Sequence, residues 1–60
     1  MINNSESKPL VLRRYSLPSK LDTAPKGSTC IVSIHNGETP LVVEYIQKGH
    51  EDDPDWQLIE

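Results

Sequence analysis

The segment that most constrains the fold is residues 35–40 (HNGETP), which lies between two runs rich in β-branched residues. These runs are residues 28–34 (STCIVSI) and 41–47 (LVVEYIQ). Asn-Gly between two such runs is the strongest local signal for a β-hairpin, because both residues tolerate positive φ. The sequence therefore predicts two antiparallel strands, over residues 28–35 and 40–48.

The length of the hairpin loop decides which side chains share a face, since a shift of one residue moves a whole strand's side chains to the other face. A two-residue loop at Asn36-Gly37 would leave Pro40 within the ladder, where its missing N–H loses a hydrogen bond. A three-residue loop would mix apolar and polar side chains on both faces. We therefore expect a four-residue loop, 36–39. It gives one buried apolar face made of Cys30, Val32, Ile34, Leu41, Val43 and Tyr45.

Weaker patterns on either side of the hairpin complete the predicted sheet. Residues 9–16 (PLVLRRYS) have the alternation of an edge strand, where inserted charge discourages unwanted pairing. Residues 55–60 (DWQLIE) predict a short terminal strand. The Pro- and Gly-containing loop after the first strand is expected to be held to the core by Leu21. No stretch shows helical periodicity longer than one turn.

These elements predict an all-β fold, a small antiparallel four-stranded meander or partly open barrel with strands near 9–16, 28–35, 40–48 and 55–60. Residues 9–60 are expected to form one small domain, and the polar residues 1–8 a disordered tail. The strand order, with Pro25-Lys26-Gly27 before the second strand and Trp56-Gln57-Leu58-Ile59 near the end, resembles the architecture of small SH3-like barrels.

Length and composition exclude several classes of protein. A chain of 60 residues with 35% hydrophobic content has little room to enclose a substrate, so we expect no enzyme. Its single cysteine, Cys30, excludes an internal disulfide framework, and a thiol on an apolar strand face behaves as an inert hydrophobe. The N-terminus lacks the apolar core of a signal peptide. Together these features predict a cytoplasmic protein that does not associate with membranes.

Metal-ligating side chains occur in the sequence but not in a metal-binding pattern. The acidic turn 48–55 (KGHEDDPD) lacks the oxygen-ligand alternation and the sharp-turn glycine of a calcium loop. Cys30, His35 and His50 lie in separate elements and do not converge on a zinc site. The sequence therefore predicts no metal and no cofactor.

Charge is divided unevenly along the chain. Residues 1–30 carry five bases and two acids, whereas residues 31–60 carry one base and seven acids. The two halves should attract each other, within one chain or between copies. The basic half supplies a candidate patch: Arg13, Arg14, Lys20 and Lys26.

The second face of the hairpin is too apolar for a solvated surface, since it carries Ile31, Val42 and Ile46. We expect either the first strand and its loop, or another chain, to cover it. Trp56 is expected to pack over the Cys30 face, with a role as an interface anchor as the alternative. The candidate interface residues are Ile31, Val42, Ile46, Trp56, Asp52 and Asp53. A core this small, without a disulfide or a metal, also favours a homodimer.

The resulting functional hypothesis is a non-catalytic interaction or regulatory module that docks on a larger protein partner. The acidic half would steer its encounter with a basic surface. The alternative is a small nucleic-acid-binding β-barrel that uses the basic N-terminal half. That alternative is weaker because the net charge is −3 and Tyr15 is the one aromatic residue among the bases.

Overall fold

The computed structural model describes residues 8–60, apart from the side chain of Asn36. These residues form one open four-stranded sheet in the order β1-β2-β3-β4, so the predicted all-β class is confirmed. The strands are β1 (Val11–Arg14), β2 (Thr29–Asn36), β3 (Thr39–Gln47) and β4 (Trp56–Leu58). Of the predicted tail, residues 1–7 lie outside the described part of the chain. The described residues contain no helix long and apolar enough to cross a bilayer.

The β2–β3 hairpin has the predicted register, with Ile34 opposite Leu41 and Val32 opposite Val43. The ladder continues to the pair Asn36 and Thr39, so the loop contains two residues rather than the predicted four. Gly37 has a φ of 78°, and no residue other than glycine has a positive φ within the described chain. Glycine with positive φ at the first loop position is the type II′ turn, whose twist matches that of the strands.

Pro40 is accommodated because its position in the ladder needs no donor. The Gln47 N–H donates to the Ser28 carbonyl at 2.8 Å, which sets the alternation of hydrogen-bonded pairs along the hairpin. Every second pair from Ser28 and Gln47 onward is hydrogen-bonded, and the pair His35 and Pro40 falls between two such pairs. The nitrogen of Pro40 therefore points away from β2. The proline therefore removes no hydrogen bond from the hairpin.

The first strand departs from the prediction of an all-antiparallel meander. β1 lies at the edge of the sheet, as expected, but it runs parallel to β2, with Leu12 beside Cys30. Only β2, β3 and β4 form an antiparallel meander. Apolar alternation identifies a strand without giving its direction. Parallel neighbours need a crossover of about a dozen residues or more, and residues 15–28 provide it without a helix.

The crossover lies over one face of the sheet, here called the covered face. The indole N–H of Trp56 donates to the carbonyl of Asp22 at 3.2 Å, and the Gln47 amide donates to the carbonyl of Ala24 at 2.7 Å. Beneath this segment Cys30 and Val32 are fully buried. The covered face carries Leu12, Arg14, Cys30, Val32, Ile34, Leu41, Val43, Tyr45, Gln47, Trp56 and Leu58.

Two expectations about the core were wrong. Ile34 and Leu41 lie on the predicted face but are 37% and 57% exposed, because β2 and β3 extend beyond their short neighbours and the crossover. Leu21 is 88% exposed and does not hold the loop to the core. Ala24, only 2% exposed, occupies that place instead. A small residue fits there because the loop backbone itself approaches the sheet.

Candidate interaction surfaces

The face of the sheet opposite the crossover is here called the open face. Alternation along the strands places Ile31, Val42 and Ile46 on it together, as the sequence predicted. Val42 is 59% exposed and Val11, which joins them from β1, is 64% exposed. The open face comprises Val11, Arg13, Thr29, Ile31, Ser33, His35, Pro40, Val42, Glu44, Ile46 and Gln57.

A row of three residues crosses the centre of the open face. Arg13 lies beside Ile31, and Ile31 lies beside Glu44, so opposite charges flank one apolar side chain. Two inter-strand spacings of about 4.8 Å separate the strands that carry the charges. Within residues 8–60 neither Arg13 nor Glu44 has an ion-pair partner. The row therefore presents one unpaired cation and one unpaired anion to the outside.

A shallow hollow of about 270 Å³ interrupts the open face next to β1. It forms because β1 ends at Arg14 and the chain bends at residues 15–16, which leaves Ser33 without a neighbour on that side. The hollow is lined by Arg13, Arg14, Tyr15, Ile31, Ser33 and His35.

The acidic loop, residues 48–55, is held in place by the side chain of Gln47, which is fully buried. Its carbonyl oxygen accepts from the backbone N–H groups of Gly49 and Asp55, and its amide donates to the carbonyls of Ala24 and His50. All the hydrogen-bonding positions of a primary amide are thus used. One side chain joins the crossover to the acidic loop. The sequence pattern did not predict a role for Gln47. The one feature that could have indicated it is a polar side chain at a position of β3 that alternates with the exposed face.

Gly49 is required because the acidic loop closes on it. A Cβ built there would overlap the Asp53 carbonyl oxygen and lie 2.8 Å from the Asp55 nitrogen. Both contacts are to backbone atoms, which have little freedom to move away. The turn beyond it is closed by reciprocal backbone bonds between His50 and Asp53, at 3.2 and 2.9 Å. The loop therefore contains a hydrogen-bonded turn, and its carboxylates are exposed to solvent.

The acidic loop leads directly into β4, which forms the second edge of the sheet. Asp55 and Ile59 direct their backbone groups to β3, since the Asp55 carbonyl accepts from Lys48 and the Ile59 N–H donates to Glu44. By the alternation of the ladder, the N–H and C=O groups of Trp56 and Leu58 point outward from this edge. The acidic edge is defined here as residues 51–55 together with β4.

Trp56 does not lie on the same surface as the other predicted interface residues. It lies on the covered face, opposite Gln47, whereas Ile31, Val42 and Ile46 lie on the open face. Its indole is half-buried and hydrogen-bonded to the crossover, as expected of a core residue. Asp52 and Asp53 lie in the exposed acidic loop. The predicted interface set is thus divided between two surfaces of the molecule.

The four predicted basic residues are also distributed over different surfaces. Arg13 and Arg14 are neighbours in β1 and so point to opposite faces, and Arg14 forms an ion pair with Asp22. Lys20 lines a hollow of about 410 Å³ shared with His50, Asp53 and Asp55. Lys26 is exposed in the turn before β2. Lys20 and the carboxylates of the acidic loop thus border the same hollow.

Two ionisable groups are perturbed by their surroundings. The backbone N–H of Ser19, followed by the Arg14 guanidinium, lowers the pKa of Asp22 by hydrogen bonding to its carboxylate. Burial raises the pKa of the Cys30 thiol, which has no exposed surface. A buried thiol with a raised pKa supplies little thiolate and no route for a substrate. Among the described residues, no three His, Cys, Asp or Glu side chains are placed to hold a metal ion.

Comparison with known proteins gives no relative: no family model, no curated protein and no solved structure matches this chain.

Proposed function

We propose that this protein is a non-catalytic, cytoplasmic interaction module that docks on a larger protein partner through its acidic edge. The observation that carries the proposal is the direct succession of the carboxylate-rich loop and the edge of β4, with which no second strand of residues 8–60 pairs on the outer side. Unpaired backbone groups at a strand edge are a template for another strand. The adjacent carboxylates select a partner with basic side chains.

The mode of binding we propose is strand addition. An extended segment of the partner would pair with the outward N–H and C=O groups of Trp56 and Leu58, as in other domains that bind peptides at a sheet edge. Leu58, 47% exposed, offers an apolar contact beside these groups. Strand addition supplies affinity through the backbone, and the side chains around it supply specificity.

The acidic loop would add rate and selectivity to this binding. Exposed carboxylates accelerate encounter with a basic surface, and their effect declines as salt screens it. Asp52 and Asp53 are exposed, and the turn that carries them is fixed by Gln47 and Gly49. A fixed turn presents charge at low entropic cost, which favours a defined docking partner.

The nucleic-acid alternative has less support. Arg13 and Arg14 point to opposite faces, and the guanidinium of Arg14 is neutralised by Asp22. Lys20 lies next to carboxylates of the acidic loop. Phosphate binding gains affinity from cations gathered on one surface. The SH3-like barrel expected from the sequence also has less support, because the four strands form one open sheet and β1 runs parallel to β2.

The decisive experiment is affinity capture from a lysate of the source cells, with mass spectrometry and a salt titration. The double variant Asp52→Lys/Asp53→Lys should lose a stoichiometric partner that the wild type retains. The control Glu38→Lys/Glu60→Lys makes the same change in net charge at exposed positions away from the loop, and should retain it. Equal capture by both variants would contradict docking at the acidic edge.

Leu58→Pro tests strand addition, because proline removes an N–H that points away from β3 and so spares the sheet. Leu58→Ala removes the side chain alone and is its control. A much larger loss of captured partner with Leu58→Pro than with Leu58→Ala would support backbone pairing, because Leu58→Ala removes only the apolar contact of the side chain. A parallel titration with a single-stranded oligonucleotide at low salt addresses the alternative. Salt-sensitive binding that is lost in Arg13→Glu/Arg14→Glu would overturn the proposal.

A further inference from the structure

We propose that the open face binds a second copy of this chain, so that two sheets pack face to face as a β-sandwich with two-fold symmetry. The inference concerns a surface distinct from the acidic edge and does not depend on docking there. It is carried by the arrangement of charge and shape on the open face, which is complementary to itself.

The row formed by Arg13, Ile31 and Glu44 determines the position of the symmetry axis. A two-fold axis parallel to β2, passing above Ile31, places β1 of one copy over β3 of the other. Arg13 then faces Glu44 of the partner subunit, and the same pair recurs on the other side of the axis. Both charges lack an ion-pair partner within residues 8–60 of one copy. Sheets packed about 10 Å apart leave room for two long side chains to meet.

The same axis brings the apolar residues of the two copies together. Ile31 contacts Ile31 of the partner subunit at the centre, with Val11 over Ile46 of the partner subunit in the row below. In the row above, Val42 lies over the hollow beside Ser33 of the partner subunit. The 270 Å³ hollow and the 59% exposed Val42 side chain are therefore a cavity and a projection related by the symmetry.

The size of this surface sets the strength of the expected dimer. Three strands at about 4.8 Å spacing and three rows of side chains offer roughly 300–400 Å² per copy. Interfaces below about 1,200 Å² in total belong to weak and transient complexes. We expect dissociation in the high micromolar range, with a monomer in dilute solution and a dimer in concentrated solution.

Sedimentation equilibrium over about 10 µM to 1 mM tests the proposal, since that range brackets a weak dimer. Arg13→Glu and Glu44→Arg should each raise the dimer dissociation constant about tenfold or more, because each creates two like-charge pairs across the axis. The double variant Arg13→Glu/Glu44→Arg should return it to within about threefold of wild type, since opposite charges meet again.

Matched controls separate this effect from net charge. Lys26→Glu and Glu38→Arg make the same charge changes at exposed turn positions, and should leave the dissociation constant within about threefold. Trp56 fluorescence confirms that each variant is folded. A wild-type monomer throughout the range would overturn the proposal. So would single reversals that match their controls, or a double variant as weak as the single ones.

Discussion

Replacement of Gln47 by Met tests whether one buried amide holds the two loops to the sheet. Methionine is close in length and shape but has no amide, so the four backbone groups bonded to Gln47 lose their partner. The Ala24 carbonyl is buried, and an unsatisfied buried group costs about 1–3 kcal/mol. The other three are partly accessible to water and lose less. We expect a total loss of about 2–4 kcal/mol in the free energy of unfolding.

That loss is large for a chain of this length, whose total stability should be about 3–9 kcal/mol at typical values per residue. Urea unfolding followed by the fluorescence of the single tryptophan measures it. Gln57→Met is the matched control, because that side chain is exposed and, within residues 8–60, bonds only to the Asp55 carboxylate at 2.8 Å. The control should change stability by less than about 0.5 kcal/mol. Equal midpoints for the two variants would refute the role assigned to Gln47.

Gln47→Glu provides an independent signature in its pH dependence. The introduced carboxylate would still accept from Gly49 and Asp55 but would face the carbonyls of Ala24 and His50. Repulsion and burial raise the pKa of such a carboxyl above its unfolded value, so the folded state binds a proton more tightly. The variant should therefore become more stable as pH falls from 7 towards 5. A variant with no such gain relative to wild type would contradict the placement of Gln47.

Further predictions concern the loops and the core. Gly49→Ala should lower the free energy of unfolding by at least about 1–3 kcal/mol, because its Cβ meets the Asp53 carbonyl. Gly37→Ala has open space around its Cβ and should lower it by about 1–2 kcal/mol, because of the positive φ alone. Urea unfolding compares the two variants. Because the folded-state pKa of Asp22 is lowered, its stabilisation is present above the unfolded value near pH 4 and is lost below it. Asp22→Asn should therefore flatten the decline in urea midpoint between about pH 5 and pH 2, and an unchanged decline would contradict this. The Cys30 thiol should react with a maleimide dye in urea but not in buffer; rapid reaction in buffer would show that the crossover does not cover it.

The hairpin was predictable because its information is local. Asn36-Gly37 marks the turn, and the register that pairs Ile34 with Leu41 and Val32 with Val43 gives one continuous apolar face. The loop contained two residues rather than four because Asn36 and Thr39 could still pair. Their pairing depends on backbone geometry, and side-chain hydrophobicity carries no information about it.

The crossover and its contacts were not predictable from the same kind of pattern. A four-residue strand such as β1 fits a parallel or an antiparallel neighbour equally well, and only the position of the loop over the sheet separates the two. Hydrophobicity favoured Leu21 as the residue that holds this loop, yet small Ala24 is buried there. The burial of Gln47 was not predicted, because a glutamine near the end of a strand is typical of a solvent-exposed position. Its burial depends on four backbone groups that come together only in the folded chain.

The division of the candidate interface has the same origin. Sequence spacing placed Ile31, Val42 and Ile46 on one face correctly, since they belong to the same hairpin. It gave no information about Trp56, which the β3–β4 pairing puts on the opposite face. Long-range pairing therefore decided which residues form one surface.

The sheet has one covered face and one open face, and the proposed dimer depends on this division. Paramagnetic relaxation of methyl protons by a soluble gadolinium chelate tests this directly. In dilute solution the Val42 methyl signals should broaden strongly and the Val32 signals should remain sharp, because Val42 is 59% exposed and Val32 is fully buried. At high concentration the Val42 signals should gain protection as the dimer forms. Val42 signals as sharp as those of Val32 in dilute solution, or Val32 signals broadened at any concentration, would contradict the account.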